Sequence, residues 1–383
     1  MTTGVPLLVV GNPDNRRVGM FRAAAVPAWP GPVRTLPWRE LARGPVRLPD
    51  RAVVRVDSPG EDPEVDRLLR GADTPAAHGE IVGAAAWYAG LRAGLDRLAT
   101  AARDAGATLL NDPGDIAVMF DKRACHARLT GAGIPVPAAL PAAPADYGDL
   151  RAMMRTTGWA RVFVKPAHGS SASGVLALET ASGRVQATTS VELAADGRLF
   201  NSLRVRRYRT EREVAAIVDR LAPDGLHVER WFPKAGLGGR TVDLRVLVVA
   251  GEPGHVVVRS SRGPLTNLHL GNNRGDLAEV RAAMGEPAYA AALDTCVRAA
   301  ACFPRSLHAG VDLMIGTDWR RHMVAEVNAF GDLLPNLVDH AGRDGYAAQL
   351  HALHSGRFDR WTARDRTPER AVAMAAGRRG WVG

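Results

Sequence analysis

The segment His308–Asp332, HAGVDLMIGTDWRRHMVAEVNAFGD, gathers three oxygen donors: Asp312, Glu326 and Asn328. Apolar Val311, Leu313 and Ile315, a polar turn at Gly316–Arg320 and a second run at Met323–Val327 predict a β-hairpin. Residues i and i+2 of a strand share a face, so Glu326 and Asn328 aim together, and the paired strand can bring Asp312 beside them. Two carboxylates and an amide oxygen form a hard oxygen site, suited to Mg2+ with substrate phosphates completing the shell. The alternative is three polar residues on a wet sheet face. In strands this apolar, an acid would then cost stability unless paired or metal-bound.

Cationic partners for such a site are few and specific. Lys and Arg total 49, yet the lysines are Lys122, Lys165 and Lys234 alone. Lysine binds phosphate as a point charge on a flexible stem, which gives each survivor of this arginine bias a candidate role. Lys165 ends a predicted strand, Val162–Val164, and a small-residue loop follows with His168, Gly169, Ser170, Ser171, Ser173 and Gly174. Successive backbone N–H groups in such a loop can wrap phosphate oxygens, helped by serine hydroxyls. It is not a Walker loop, because no GxxxxGK[ST] occurs, and no GxGxxG dinucleotide fingerprint occurs either. Further on, Leu226–Phe232 is a predicted strand with Glu229 inside it and Lys234 just beyond. Predicted strands Val242–Val249 and His255–Arg259 put Asp243 and Arg245 on one face and Arg259 at an end. Strand-end arginines beside a phosphate site can hold transferring oxygens; elsewhere they are exposed cations. The loop TNLHLGNN adds Asn267 and His269.

The elements that would position these groups divide the chain. Residues 1–105 predict an α/β domain, with strands Leu7–Val10 and Ala52–Val56 and an amphipathic helix over Ile81–Ala105. Polar turns follow both strands, at the carboxyl ends where open α/β sheets place ligands. Asn12, Asn15, Arg55 and Ser58 are therefore candidate substrate contacts, with plain connection as the alternative. A strand Thr108–Leu110 and a single helix carrying Lys122 and Leu129 come next. Helices are also expected near Glu211–Leu221, over Leu293–Phe303 and from 337 to about His354, with a polar, Arg-rich tail beyond.

Composition excludes several classes. With 46% hydrophobic and 23% charged residues over 383 positions, the chain is an ordinary globular protein of two or three domains. No window approaches a transmembrane span, and the N-terminus lacks the charged and apolar regions of a signal peptide. Cys125, Cys296 and Cys302 match no metal or redox spacing and are expected as reduced thiols in the cytoplasm. The net charge of +9 is spread over scattered arginines, without an aromatic-basic motif. An acidic small molecule such as a nucleotide is the simpler partner, so nucleic acid is discounted; a homodimer is compatible.

Taken in order, DK at Lys122, VKPAHGSSASG, VERWFPK, DLRVLVV, VVVR, TNLHLGN, GVDLM and EVNAFGD resemble the ATP-grasp superfamily. The likeness covers roughly residues 106–335 and is nearest the branch of glutathione synthetase and the ligases that add glutamate to a ribosomal protein. It implies an α/β and α+β chain with an ATP-grasp fold. Two α+β subdomains, 106–225 and 226–355, grip ATP; a Rossmann-like pre-ATP-grasp domain, 1–105, precedes them, and a tail, 356–383, follows. By position, Lys122 and Lys165 match the phosphate-binding lysines, and Gly169–Gly174 the loop that closes over the nucleotide. Glu229, Trp231 and Phe232 match the hinge at adenine and ribose, and Asp312, Glu326 and Asn328 the Mg2+ (or Mn2+) ligands. Arg245 and Arg259 match the arginines near the γ-phosphate, with Asn267 beside them; Lys234 is expected to face nucleotide or substrate. Where relatives often carry a substrate-binding Arg before the Asn of the NLH motif, this chain has Thr266.

The resemblance implies a cytoplasmic ADP-forming ligase. It would join a small-molecule or peptide carboxylate to an amine through an acyl phosphate. The alternatives are a kinase on the same grip and a nucleotide-binding regulator without catalysis.

Overall fold

A computed structural model describes residues 4–169, 172–181, 183–331 and 334–363, and for His269 the backbone alone. The chain opens with β1 (Leu7–Val10), α1 (Arg16–Ala28), β2 (Val33–Leu36), α2 (Trp38–Arg43) and β3 (Val53–Val56). It continues through α3 (Pro63–Arg70), α4 (Ala84–Asp104) and β4 (Thr108–Leu109). These strands form a parallel sheet in the order β2-β1-β3-β4. The LLVV of β1 is buried along its whole length, as a strand covered on both faces requires. Asn15 and Asp62 cap α1 and α3 with side-chain oxygens that accept backbone N–H groups of the first turn. Helices α3 and α4 meet closely at Gly90, where an added Cβ would lie 2.0 Å from the Leu69 carbonyl oxygen.

Next come α5 (Pro113–Phe120), α6 (Lys122–Gly131) and α7 (Tyr147–Thr157). The expected single helix is thus two. They break at Asp121, whose carboxylate accepts from Arg123 N and Ala124 N and makes Lys122 the first residue of α6. Strands β5 (Arg161–Pro166), β6 (Leu176–Ala181), β7 (Arg184–Leu193) and β8 (Leu199–Tyr208) follow, then α8 (Glu211–Leu221) and β9 (Leu226–Arg230). They make a second, antiparallel sheet in the order β8-β7-β6-β5-β9. Leu150 and Met154 of α7 and Ile217 and Val218 of α8 pack on Val162 and Val164 of β5. The β7–β8 pair was not anticipated. Its pairing jumps from Thr189–Arg206 to Val191–Asn201, so four residues of β8 lie opposite Ser190 alone and no alternation runs through.

The third sheet holds β10 (Gly236–Leu237), β11 (Arg240–Val249), β12 (Glu252–Ser261) and β13 (Asn273–Arg274). After α9 (Leu277–Met284) and α10 (Glu286–Ala300), it is completed by β14 (His308–Ile315) and β15 (His322–Asn328). The order is β13-β12-β11-β14-β15, with β10 also on β11, all antiparallel. Helices α11 (Gly345–His354) and α12 (Arg357–Ala363) end the described chain; 337–344, expected as helix, is not. One apolar core runs from the first sheet into the third, while the second sheet has its own. No helix among the described residues is long and apolar enough to cross a membrane.

Candidate functional site

The β14–β15 hairpin sets Asp312 opposite Glu326 and Gly310 opposite Asn328. The register then slips, with Leu313 opposite Val324, so Ala325 is the extra residue of a β-bulge. The bulge keeps Val324 and Val327 in the core while Glu326 turns to the opposite face. Across β14, Arg245 of β11 lies opposite Asp312, and Asp243 lies opposite both Met314 and Arg259. Directly opposed residues share a face, so Asp243, Arg245, Arg259, Asp312 and Glu326 stand together on one side of the third sheet.

Their charges are matched in a buried chain. Arg245 donates through Nε to Asp312 Oδ1 and through Nη2 to Oδ2 at 3.1 Å, where Arg259 Nη1 also donates at 2.9 Å. Arg259 Nε donates to Asp243 Oδ1 at 2.7 Å; Lys234 Nζ donates to Asp243 Oδ2 at 3.0 Å and to Thr266 Oγ1 at 2.9 Å. The Thr266 hydroxyl in turn donates to Asp243 Oδ2. Burial pushes the Asp243 carboxyl up, but the Arg259 and Lys234 cations outweigh it and hold the group below the ordinary range. Asp312 shifts down too, Arg245 and Arg259 outweighing its burial. Burial lowers the Lys234 ammonium despite Asp243.

The second sheet faces this one with its own triad. Lys165 of β5 lies opposite His227 of β9, and Glu229 is two residues further on. Lys165 Nζ donates to Glu229 Oε2 at 2.7 Å, and His227 Nε2 lies 2.9 Å from Oε1. A carboxylate only accepts, so Nε2 carries the proton. Burial raises the Glu229 carboxyl, yet Lys165 and His227 overcome it and bring it to about 2. Lys122 joins the two sheets: Nζ donates to Gly169 O at 2.8 Å and ion-pairs with Glu326 Oε1 at 3.1 Å.

Most of these groups line one open cleft of about 750 Å3, its mouth included, but Arg245, His227 and Asn328 are not part of its lining. Lys122, Lys165, Lys234, Glu229, Asp312 and Glu326 reach it, and Phe163, Val175, Phe232, Leu265 and Met314 supply apolar wall. Gly169, Arg259 and Asn267 line it too, whereas Trp231 packs away on Phe163, ring centroids 4.9 Å apart. His168 stacks on Tyr88 at 3.9 Å, outside the lining. Gly174 sits at φ +72°, where a Cβ would meet Pro166 Cγ at 2.5 Å, and is a turn residue under the loop. Ser170, Ser171 and the His269 side chain lie outside the described residues. Asn12, Asn15, Arg55 and Ser58 stand apart from the cleft. Asn12 Nδ2 donates to Pro59 O, Asn15 caps α1 and binds Glu61, and Ser58 Oγ accepts from Gly60 N. Arg55 is buried against Asp57, Gln349 and the Phe21 ring. Sequence reasoning left Asp243, Thr266 and His227 without roles. Asp243 and His227 each had a signal, period-two spacing from Arg245 and from Glu229; Thr266 gains its partners, Lys234 and Asp243, only from elsewhere in the chain.

The donors also bear on a divalent cation. A carboxylate offers about four lone-pair positions. Guanidinium groups occupy three on Asp312 and leave one on Oδ1. Asn328 gives its N–H to Gly310 O at 3.3 Å and keeps its carbonyl oxygen, and Glu326 stays partly exposed. Among the described residues no three His, Cys, Asp or Glu side chains hold a metal by themselves. The set therefore fits Mg2+ or Mn2+ as a partial shell of Asp312, Glu326 and Asn328 completed by phosphate oxygens.

Comparison with known proteins gives the architecture. The chain superposes on D-cycloserine synthetase DcsG with a TM-score of 0.56 at 15% identity, covering 92% of this chain and 99% of that one. It superposes on the ATP-grasp ligase PsnB, complexed with precursor peptide PsnA2 and AMPPNP, with a TM-score of 0.50 at 16% identity, covering 93% and 99%. The chain has the ATP-grasp fold. The macrocyclase MdnC, bound with precursor peptide MdnA from Microcystis aeruginosa MRC, shares it at a TM-score of 0.53 and 10% identity, over 92% and 100%. No protein-family model and no curated protein sequence matches the chain. The expected α/β and α+β architecture is the one this chain adopts, as a parallel sheet followed by two antiparallel ones.

Proposed function

We propose that the chain is an ATP-dependent, ADP-forming carboxylate–amine ligase working through an acyl phosphate. One observation carries this reading. Lys122 and Lys165 converge with Asp312 and Glu326 on a single cleft between two sheets, though just over two hundred positions separate the ends of the set. The flat apolar wall of Phe163, Phe232, Leu265 and Met314 suits a purine, and the lysines suit the phosphates beyond it. The neighbouring structures of this fold are described as a synthetase, a ligase and a macrocyclase, which agrees.

In this mechanism a substrate carboxylate oxygen attacks the γ-phosphorus and ADP leaves. An amine then attacks the acyl phosphate carbon, loses a proton and releases phosphate. Phosphoryl transfer is mostly positioning and charge neutralisation. Lys122 and Lys165 exchange their carboxylate partners for phosphate oxygens. Until the nucleotide arrives, Glu229, fixed by His227, keeps Lys165 at the cleft wall. Arg245 and Arg259 keep Asp312 ionised and oriented. A divalent cation held by Asp312, Glu326 and Asn328 would supply further charge neutralisation on the polyphosphate.

The test is product analysis across a panel of carboxylic acids with ATP, Mg2+ and hydroxylamine. ADP, free phosphate and a hydroxamate are expected for the cognate acid. A stable phosphoester with ADP would establish a kinase instead. Nucleotide binding without ADP release under every condition would leave a regulator.

A further inference from the structure

Strand β8 is the outer strand of the second sheet. Its first residues are covered: Asn201 N donates to Gly79 O at 2.7 Å and Ile81 N to Leu199 O at 2.8 Å. Beyond Asn201 no described strand pairs with its outer edge. There β8 leaves its ladder with β7 over 202–205 and rejoins it at Arg206, opposite Thr189. That stretch carries Leu203, 73% exposed and the most exposed large apolar residue among those described, and Val205, 44% exposed.

Arginines flank this pair at positions 204, 206, 207 and 209. Arg206 is held by Glu192, and Arg209 Nε donates to Gln186 Oε1 at 3.4 Å. Arg204 and Arg207 are exposed and make no ion pair among the described residues. Arg207 lies opposite Thr188, Thr188 opposite Ala177, and Ala177 opposite Phe163. Opposed residues share a face, so Arg207 stands on the side of the sheet that carries Phe163 of the cleft wall. The helical turn Leu268–Leu270 packs against β8, and the same loop sets Thr266 and Asn267 on that wall. Charge and an irregular ladder are common guards of a sheet edge against aggregation, but a guarded edge gains nothing from two exposed aliphatic side chains. Free N–H and C=O groups along an edge, aliphatic side chains and unpaired cations are together what holds an extended acidic peptide.

We propose that β8 from Ser202 to Tyr208 docks an extended acidic peptide with aliphatic side chains, which adds to the second sheet as a further strand. Its backbone pairs with the outer edge, its carboxylates meet Arg204 and Arg207, and its aliphatic groups cover Leu203 and Val205. A second copy of this chain is disfavoured, because β8 against β8 sets arginine against arginine. Nucleic acid is disfavoured too, since single strands are held on aromatic platforms and this stretch offers aliphatic ones. That the docked peptide carries the reacting carboxylate or amine rests on the ligase reading; the docking itself does not.

The experiment is selection of a displayed library of random short peptides on the immobilised full chain, without nucleotide, followed by fluorescence titration of the synthesised winners. Enriched peptides are expected to combine Asp or Glu with Leu, Ile or Val. Their affinity should fall about tenfold or more on Arg207→Glu and on the double variant Leu203→Ser with Val205→Ser, and stay unchanged on Arg22→Glu, an exposed cation of the first domain. All these positions are exposed, so nucleotide affinity and the thermal midpoint should match the parent. The proposal is overturned if no acidic peptides are enriched, or if the winners bind the β8 variants as tightly as the parent. It is also overturned if polyuridylate binds as tightly as the winners and is lost with the same variants, or if the chain dimerises and the double variant makes it monomeric. With ATP and Mg2+ added, conversion of a winner to an amide places the docking in the reaction. The hydroxamate assay on the parent chain reports on the ligase reading separately.

Discussion

Asp312 and Glu326 face each other across one rung of a hairpin, yet they sit in different electrostatic settings. Asp312 is buried under two guanidinium groups, whereas Glu326 keeps 28% of its side-chain surface and pairs with one lysine. Removing one partner of a buried pair leaves an uncompensated charge at about 3–5 kcal/mol, while a half-exposed pair is worth about 1 kcal/mol or less. Asp312→Asn should therefore lose both stability in urea unfolding and ATP turnover. Glu326→Gln should unfold close to the parent and still lose turnover, on the order of a hundredfold. Near-normal turnover of Glu326→Gln at saturating Mg2+ would remove that residue from the site. His308 gives a pH signature. Its folded pKa, about 3, lies below the ordinary 6.5, so between those values the unfolded chain binds the extra proton and stability rises with pH. Asp115, raised to about 6 chiefly by burial, acts in the opposite sense between 3.8 and 6. Denaturation midpoints measured from pH 4 to 7 should rise less steeply in His308→Leu than in the parent. At this scale the sequence showed residue types and left their pairings hidden. Asp312 and Glu326 could be placed together by strand period, but that Arg245 and Arg259 would turn onto Asp312 depends on β11 and β12 arriving from elsewhere in the chain.

The elements were legible where one pattern ran uninterrupted. The hairpin over His308–Asn328 shows an apolar run, a polar turn and a second apolar run, and α8 has the caps and periodicity of a surface helix. They were illegible where a local break carried no Gly or Pro. The step from α5 to α6 turns on the Asp121 cap alone, and the β7–β8 ladder loses its alternation at the four-residue excursion in β8. The bulge at Ala325 could not be seen either, because it exists only in the pairing with β14. Close approach has its own prediction. Gly90→Ala would set a methyl 2.0 Å from the Leu69 carbonyl oxygen, and backbone cannot yield as a side-chain tip can. That variant should force α3 and α4 apart and lower the thermal midpoint by several degrees; an unchanged midpoint would mean the helices pack more loosely than described.

Across the molecule, the first and third sheets share one core and the second stands on its own, so the cleft lies between bodies stabilised independently. Arg17 ties the first to the third, its Nη2 donating to Phe330 O at 2.5 Å and its Nε 3.4 Å from Asp57 Oδ1. Arg17→Ala should cost about 1.5–3 kcal/mol of stability in denaturant unfolding, the range for a charge-assisted hydrogen bond. Lys122 makes the corresponding tie to the second sheet, and here a thermodynamic consequence follows. Lys122 and Lys165 are already neutralised by Glu326 and Glu229, so an arriving polyphosphate displaces resident anions and the cleft works as an ion exchanger. The released carboxylates repel the newcomer unless a divalent cation takes them up. Nucleotide affinity should accordingly climb steeply with Mg2+ and respond only weakly to monovalent salt, with the two solutes entering more readily as a pair than singly.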